Sequence, residues 1–351
     1  MKKYYSYQSN NKKVSFLIDV QAISKIMILL LLLAIIFIAS IGLGDMNIHP
    51  FTVLHVFFGG GTQLEKLVII DFRLPRVIVA LLAGMALAVA GGILQGIVKN
   101  PLASPDIIGI TSGAGAFVVA FLALFSDQNH SLTVSIAWMP LAAFLGAAII
   151  AFSVYLLAWR NGVAPFRLVL IGIGISALMQ GLTTLLMLMG PIYRASDANV
   201  WITGSVNGAS WEQIAILMPW TIILLSVAFI ASRIINIQEL GQEIATGVGN
   251  PVEKSRFLLL LLSTCLVGGA VAFAGGIGFV GLMAPHIARR LVGSSFGVLL
   301  PTAACIGAIL VMVADLIGRT AFSPLEVPAG VFTAAIGAPY FIYLLFKAKN
   351  R

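Results

Sequence analysis

The stretch that decides the fold is "RLPRVIVALLAGMALAVAGGI" at residues 73–93. After its two arginines it carries no charged side chain and consists almost entirely of Ala, Val, Leu, Ile and Gly. A helix of about 20 such residues crosses the hydrocarbon layer of a bilayer, which is roughly 30 Å thick. The segment is therefore predicted to be a transmembrane helix that begins beside Arg73 and Arg76.

The whole chain has the composition of a membrane protein. Its 351 residues are 60% hydrophobic and only 10% charged, whereas soluble domains average about 25% charged residues. The mean hydropathy is +1.03. The net charge of +8 is interpreted as basic residues on cytoplasmic loops, because membrane proteins retain Lys and Arg on that side. A nucleic-acid partner is not expected.

Apolar runs separated by polar breaks predict an all-α polytopic membrane protein with about ten spans. Residues 1–25 are assigned to an N-terminal tail, 26–346 to a single transmembrane domain and 347–351 to a C-terminal tail. The run at 257–291 is compatible with one long span or with two short spans divided near "AGGIG". The predicted spans are 26–44, 76–97, 107–125, 136–158, 167–189, 213–232, 257–274, 277–291, 298–317 and 328–346.

The distribution of basic residues predicts the orientation. An even number of spans places both termini on one side, and if that side is the cytoplasm, 16 of the 21 Lys and Arg residues are cytoplasmic. This imbalance follows the positive-inside rule. Arg73 and Arg76 are then external, against the trend. The external basic residues are Lys66, Arg73, Arg76, Arg194 and Arg319.

An internal similarity indicates a repeat. The segments "GMALAVAGGI" (84–93) and "GGAVAFAGGI" (268–277) agree at seven of ten positions. Five predicted spans separate the two copies, so they run in opposite directions across the membrane, as in transporters with inverted repeats. Because Ala and Gly are common in membrane spans, chance similarity remains an alternative.

The chain shows no catalytic or metal-binding set. The stretch "GVGNPVEKS" (247–255) has Glu253 where a phosphate-binding loop needs Gly before Lys-Ser, and no predicted strand precedes it. The two cysteines and four histidines do not cluster along the sequence. We therefore expect a transport subunit that is not an enzyme, has no cofactor and does not bind nucleotide itself.

Several motifs together resemble one family, the FecCD-type permeases, which are membrane subunits of ABC importers for iron–siderophores, haem and cobalamin. The similarity covers nearly all of the chain after residue 70. Val248 departs from the family pattern, which usually has Leu there. The motifs are "RLPRVIVALLAGMALAVAGGILQGIVKNPLASPDIIGITSGAGA" (73–116), "WITGSVNGASW" (201–211), "LGQEIATGVG" (240–249), "GGIGFVGLMAPHIARRLVG" (275–293) and "EVPAGVFTAAIGAPYFIYLL" (326–345).

This resemblance implies a type II ABC importer in the bacterial cytoplasmic membrane. Two permeases, identical or paralogous, would enclose the pathway between them. Two ATP-binding subunits, which use ATP and magnesium, would dock on the cytoplasmic side, and an extracytoplasmic substrate-binding protein would dock outside. An iron(III)–siderophore complex is the expected substrate, with haem and cobalamin as alternatives.

The resemblance also implies site residues. Arg73, Arg76 and Arg319 match family positions that pair with glutamates on the binding protein. For Arg73 and Arg76, anchoring of the span at lipid headgroups is an alternative. For Arg319, the alternative is a local pair with Asp315, since the two lie one helical turn apart. In the cytoplasmic loop 233–256, a short helix and turn would enter a groove on the ATPase. Its coupling residues would be Gly241, Glu243, Ala245 and Gly249.

The main rival is an ion-coupled secondary transporter, which should place a carboxylate near the middle of a span. Asp315 and Glu326 fall near predicted span ends, and Asp106 falls at the start of one. An intramembrane enzyme is a second rival, but no catalytic set supports it. The pattern therefore favours the ABC importer.

Overall fold

The computed structural model describes residues 4–8, 15–126, 133–159, 165–190 and 195–349, and nearly all of them are helical. Two short strands, Tyr4–Gln8 (β1) and Ser15–Asp19 (β2), pair as an antiparallel hairpin before the first helix. The helices are α1 Val20–Gly42, α2 Pro50–Phe57, α3 Gln63–Lys66, α4 Leu74–Val98, α5 Pro105–Ile108, α6 Ile110–Leu124, α7 Met139–Ala158, α8 Pro165–Met189, α9 Ala195–Thr203, α10 Trp211–Glu239, α11 Gln242–Gly247, α12 Val252–Ala274, α13 Val280–Val292, α14 Phe296–Thr320 and α15 Ala329–Lys349.

Seven helical segments in the described part of the chain are long and apolar enough to cross a membrane, which confirms a multi-pass protein. A π-helical turn, Leu67–Arg73, joins α3 to α4, and a 3-10 turn, Ile136–Trp138, precedes α7, so that each pair forms one segment. The shorter apolar helices are Ile110–Leu124 and Ala329–Leu344. The seven segments are Val20–Gly42, Gln63–Val98, Ile136–Ala158, Phe166–Met189, Trp211–Glu239, Val252–Ala274 and Phe296–Thr320.

Two helices extend beyond the boundaries drawn from the sequence. Helix α1 begins at Val20, before residue 26, because the Asp19 carboxylate accepts the backbone N–H groups of Gln21 and Ala22. Helices α10 and α12 extend into the predicted loop 233–256, since α10 continues to Glu239 and α12 begins at Val252. No Gly or Pro interrupts α10 between residue 232 and Gly241, so nothing breaks the helix earlier.

The run at 257–291 consists of two helices. Helix α12 ends at Ala274, and α13 begins at Val280. Gly275 at the break has a left-handed φ of +68°, and Phe279 has a φ of +66°, which is uncommon for a residue with a side chain. The division predicted near "AGGIG" is therefore present, as a non-helical linker between α12 and α13.

Helix α4 is the centre of the bundle and is buried along most of its length. A Cβ atom on Gly91 would lie 1.8 Å from the carbonyl oxygen of Gly281 in α13, and one on Gly84 would lie 2.4 Å from that of Gly307 in α14. Backbones this close require glycine, and small residues are the usual means of packing helices in membranes. The Ala- and Gly-rich stretch that identified the fold is thus the surface on which α13 and α14 pack.

Candidate functional site

A cavity of about 730 Å³ lies between the start of α6, the second half of α8, the end of α9 and the linker after α12. We call it the chamber. Apolar side chains such as Trp201, Leu282 and Phe341 make up part of its wall. Hydroxyl and amide groups are unusually frequent for a cavity between apolar helices. The polar uncharged lining residues are Ser104, Thr111, Ser112, Gln180, Thr183, Thr184 and Asn199.

Asp106 in α5 is the ionisable side chain of the chamber wall. Its Oδ1 accepts a hydrogen bond of 2.9 Å from the Thr111 hydroxyl, and its Oδ2 accepts one of 3.3 Å from the backbone N–H of Phe279. The second bond supports the left-handed residue that precedes α13. The carboxylate therefore connects the two sequence motifs that begin α6 and α13.

The chamber lies far from the end of α13 that carries Arg289 and Arg290. Phe279 precedes α13, whose thirteen residues end shortly after Arg289 and Arg290, the pair expected at the cytoplasmic surface. At 1.5 Å per residue α13 is about 20 Å long, against roughly 30 Å for the hydrocarbon layer. Asp106, which bonds to Phe279, is correspondingly far from the cytoplasmic end of the helix.

A second cavity, of about 740 Å³, lies at the N-terminal end of α4 and contains all three arginines of the docking prediction. We call it the outer basin. In contrast to the chamber, both signs of charge are abundant in its wall. The charged lining residues are Asp45, Asp71, Arg73, Arg76, Glu212, Arg319 and Glu326.

Arg76 is held by two carboxylates. Its Nε lies 2.9 Å from Oδ1 of Asp315 in α14, and its Nη1 lies 3.0 Å from both carboxylate oxygens of Glu326. The side chains of Arg76 and Asp315 are 12% and 4% exposed, whereas that of Glu326 is 41% exposed. The pair with Asp315 is thus buried, and the pair with Glu326 is at the rim.

Arg73 and Arg319 together bind the C-terminal end of α1. Arg73 Nη1 donates to the carbonyl oxygens of Ile41 (2.7 Å) and Gly42 (2.9 Å), while Arg319 donates to those of Ser40 and Leu43. The last carbonyls of a helix have no partner within the helix and carry partial negative charge. Two cations therefore satisfy four consecutive carbonyl groups.

The contacts of these arginines determine which of them is available to pair with a docking protein. Arg319 is buried, and its Nε lies 3.6 Å from Oδ2 of Asp315, so the local pair considered as an alternative is present. Arg73 has three backbone acceptors, the third being Met46. Among the three, Arg76 is the one that is hydrogen-bonded to an exposed carboxylate, that of Glu326, which a carboxylate of another protein could replace.

The expected coupling residues lie on one short element. Glu243 and Ala245 belong to α11, Gly241 precedes the helix with a φ of +119°, and Gly249 follows it with a φ of +82°. Glu243 is exposed and Ala245 is fully buried. Two left-handed glycines thus bracket a single exposed helical turn, a conformation that other residues adopt only with strain.

Sequence reasoning missed the chamber, although α8 carried a signal for it. Gln180, Thr183, Thr184 and Met187 follow the i, i+3, i+4, i+7 spacing of one helix face. A polar stripe along an otherwise apolar membrane helix should face protein or water. The role of Asp106 depends on its contact with Phe279, 173 residues away, which no local pattern reveals.

Comparison with known proteins relates these features to a family. The model of the "FecCD transport family" matches residues 31–347. The chain is 60% identical over 324 residues to the "Probable siderophore transport system permease protein YfhA" of Bacillus subtilis (strain 168), covering 92% of this chain and 94% of that protein. It is 44% identical over 320 residues to the "Iron(3+)-hydroxamate import system permease protein FhuG" of the same organism, covering 91% and 95%.

A solved structure agrees with the fold described above. It is an inward-facing structure of a protein described as a metal-chelate type ABC transporter, and it superposes with a TM-score of 0.81 at 30% identity, covering 92% of this chain and 99% of that one. The family match, the curated relatives and this structure all extend over most of the chain. The chain belongs to the FecCD transport family.

Proposed function

We propose that this protein is the permease subunit of an ABC importer and forms half of the translocation pathway for an iron(III)–siderophore complex. The observation that carries the proposal is the chamber, whose polar lining lies at membrane depth beside apolar helices. A cavity of about 730 Å³ is within the range that holds small organic ligands. The relatives named for siderophore and iron-hydroxamate transport support the substrate class, with haem and cobalamin complexes as alternatives.

The chamber requires a second subunit. Gln180 and Thr184 are exposed in the single chain, and in a bilayer such groups would face hydrocarbon, where unsatisfied polar groups are costly. A second permease over this face would convert the opening into an enclosed, hydrated pathway. We therefore propose a dimer of permeases, identical or paralogous.

The proposed topology has ten spans and both termini in the cytoplasm. It adds α6, α13 and α15 to the seven long segments, and the excess of basic residues on the cytoplasmic side supports it. The similar segments of α4 and α12 would belong to the two halves of an inverted repeat, and the two helices pack together, with the Ser263 hydroxyl donating to the Ala90 carbonyl at 3.1 Å. Residues 1–3, 9–14 and 350–351, together with Arg160 and Arg194, lie outside the described residues.

The outer basin is the proposed docking surface for the substrate-binding protein. Arg76 would meet a carboxylate of that protein by exchange with Glu326, the exposed member of its ion-pair network. The docking roles of Arg73 and Arg319 remain predictions, and both residues would also keep the end of α1 in the basin wall. Such charges guide docking and fix its register more than they add affinity.

On the cytoplasmic side, α11 would couple the permease to two ATP-binding subunits. Glu243 is exposed on α11, and Ile244 and Val248 are 53% and 65% exposed, which provides a mixed polar and apolar surface for a groove on the ATPase. ATP and magnesium would be bound by that partner. This chain would be a transport subunit without its own nucleotide site or cofactor.

Uptake by the reconstituted importer tests the proposal. The permease with its ATPase and binding protein in proteoliposomes should accumulate radioiron from a siderophore complex with ATP inside, and should not do so when the ATPase carries a hydrolysis-blocking substitution. Asp106 at membrane depth also favours a second candidate, ion-coupled transport. Uptake that needs a proton or sodium gradient but no ATP would support that candidate and contradict the ABC importer.

A further inference from the structure

The wall of the chamber is unusual in its charge. Asp106 is the only ionisable side chain among the described residues that line it, and the described lining contains no Lys, Arg or His. The remaining polar groups are neutral hydroxyls and amides. The outer basin, by contrast, has arginines beside its carboxylates, so the difference is specific to the inner cavity.

The hydrogen bonds of Asp106 do not neutralise it. Its two oxygens accept from a hydroxyl and a backbone N–H, and no described cation forms a salt bridge with it. Each oxygen retains a lone pair, and Asp106 is half-buried and lines the chamber. The carboxylate is therefore fixed in place by α6 and α13 while still acting on whatever occupies the cavity.

A charge in this position acts strongly on a passing solute. A chamber with apolar helices behind its wall has a low effective dielectric, which strengthens attraction and repulsion alike. A polyanionic chelate would lose hydration, meet no cation and face Asp106. A neutral or cationic chelate with amide, hydroxyl or amine groups would find acceptors and a favourable field.

We propose that the chamber is a charge filter that admits neutral or cationic iron(III) chelates and disfavours polyanionic ones, with Asp106 as its specificity-determining residue. This inference rests on the proposed function, because it assumes that the chamber is the pathway. It adds a selection step inside the permease to the selection made by the binding protein. The substrate class follows from the absence of basic side chains in the described lining together with one fixed carboxylate.

Thiol modification measures the field in the chamber without knowledge of the natural substrate. In the full importer complex, with Cys265 and Cys305 replaced by alanine, a cysteine is introduced by Thr184→Cys or, separately, by Ser112→Cys. Each is reacted with a cationic and with an anionic methanethiosulfonate of similar size. The ratio of the two rates is compared with that of a free thiol in the same buffer.

The filter predicts that the ratio of the cationic to the anionic modification rate is about tenfold higher in the chamber than for the free thiol. Asp106→Asn should remove most of this preference, because it keeps the size of the side chain and deletes its charge. The matched control Asp71→Asn, which removes an exposed carboxylate in the outer basin, should leave the ratio unchanged.

Two results would overturn the filter. One is a ratio equal to that of the free thiol, or one that Asp106→Asn does not change. The other is failure of both cysteines to react with either reagent, which would mean that the chamber is not hydrated. Either result leaves ATP-driven uptake intact as a separate observation, whereas loss of that uptake in the unmodified importer would count against the proposed function itself.

Discussion

The outer basin and the chamber have nearly the same volume, about 740 and 730 Å³, but they differ in the number of charged side chains in their walls. The basin has three arginines with four carboxylates in its wall, and its buried charges are paired with one another or with backbone carbonyls. The chamber has neutral polar groups and one carboxylate. Under the proposed function, dense charge would serve where another protein is recognised and would be avoided where a solute passes without being retained.

The largest expected effect is on stability, from breaking the basin's buried pair. Arg76→Ala leaves Asp315 buried without its main partner, and breaking a buried ion pair on one side typically costs about 3–5 kcal/mol. We expect a large fall in the thermal unfolding midpoint in detergent, together with poor recovery of folded protein. No single substitution of the chamber's neutral polar residues should approach this loss.

The control for Arg76 is the double variant Arg76→Leu with Asp315→Leu. Removing both charges eliminates the unpaired carboxylate, and Arg319, which loses Asp315 as a partner, keeps its bonds to the Ser40 and Leu43 carbonyls. The double variant should therefore recover part of the lost stability. If the single variant were as stable as the wild-type protein, the buried pair would not be what holds α4 to α14 in the basin. The basin would then be only a surface for docking.

The second-largest effect is expected on transport rather than on stability. It comes from a substitution in the loop that contains α11, away from both cavities. Gly249→Val places a β-branched side chain at a φ of +82°, which costs roughly 1–3 kcal/mol of local strain. Because nothing packs within 4 Å of the Cβ position there, the bundle should fold normally. We expect uptake and stimulation of the ATPase to be lost while the permease still inserts into the membrane.

Gly247→Ala provides a matched change on the same element, since Gly247 has open space around it and is helical with no left-handed φ. It should keep coupled uptake. Normal uptake by the Gly249→Val protein would show that the left-handed turn after α11 is not needed for coupling.

The smallest effect is expected at the rim of the basin. Glu326→Gln weakens only the exposed ion pair between Arg76 and Glu326. Such exposed pairs contribute about 0–1 kcal/mol to the free energy of unfolding. The unfolding midpoint should change little. Arg76 becomes more available to a partner carboxylate, so the affinity for the binding protein should rise, mainly at low salt where exposed charges are least screened. An affinity that is unchanged at every salt concentration would mean that Arg76 does not exchange partners.

Sequence patterns predicted the helical membrane fold because hydrophobic length and the small-residue stretch of α4 are local properties. The family resemblance predicted where the functional segments lie. The environment of Arg76 could not be predicted, since Asp315 and Glu326 are 239 and 250 positions away. Basic residues on the side predicted to be external indicated a specific role. The packed structure adds that Arg76 joins α4 to Asp315 of α14, while Arg73 and Arg319 bind the end of α1.

The loop that contains α11 and the chamber both show that a local sequence pattern does not determine three-dimensional structure. The predicted span ends at residue 232, before Arg233, whereas the helix itself continues beyond the apolar segment to Glu239. The polar stripe of α8 was visible in the sequence. Its meaning depended on α9 and on the linker after α12, which meet it only in three dimensions.

The most direct test of the central claim, that the chamber and not the basin carries the solute, is uptake after blocking the chamber. The importer with Thr184→Cys, in the background without native cysteines, is labelled with a bulky cationic methanethiosulfonate, and labelling is confirmed by mass spectrometry. Phe58→Cys in the loop between α2 and α3, 88% exposed and outside the candidate spans and the chamber wall, is the matched control. Labelled Thr184→Cys should stop ATP-driven iron uptake, while labelled Phe58→Cys should transport normally. Normal uptake by the fully labelled Thr184→Cys protein would contradict the account.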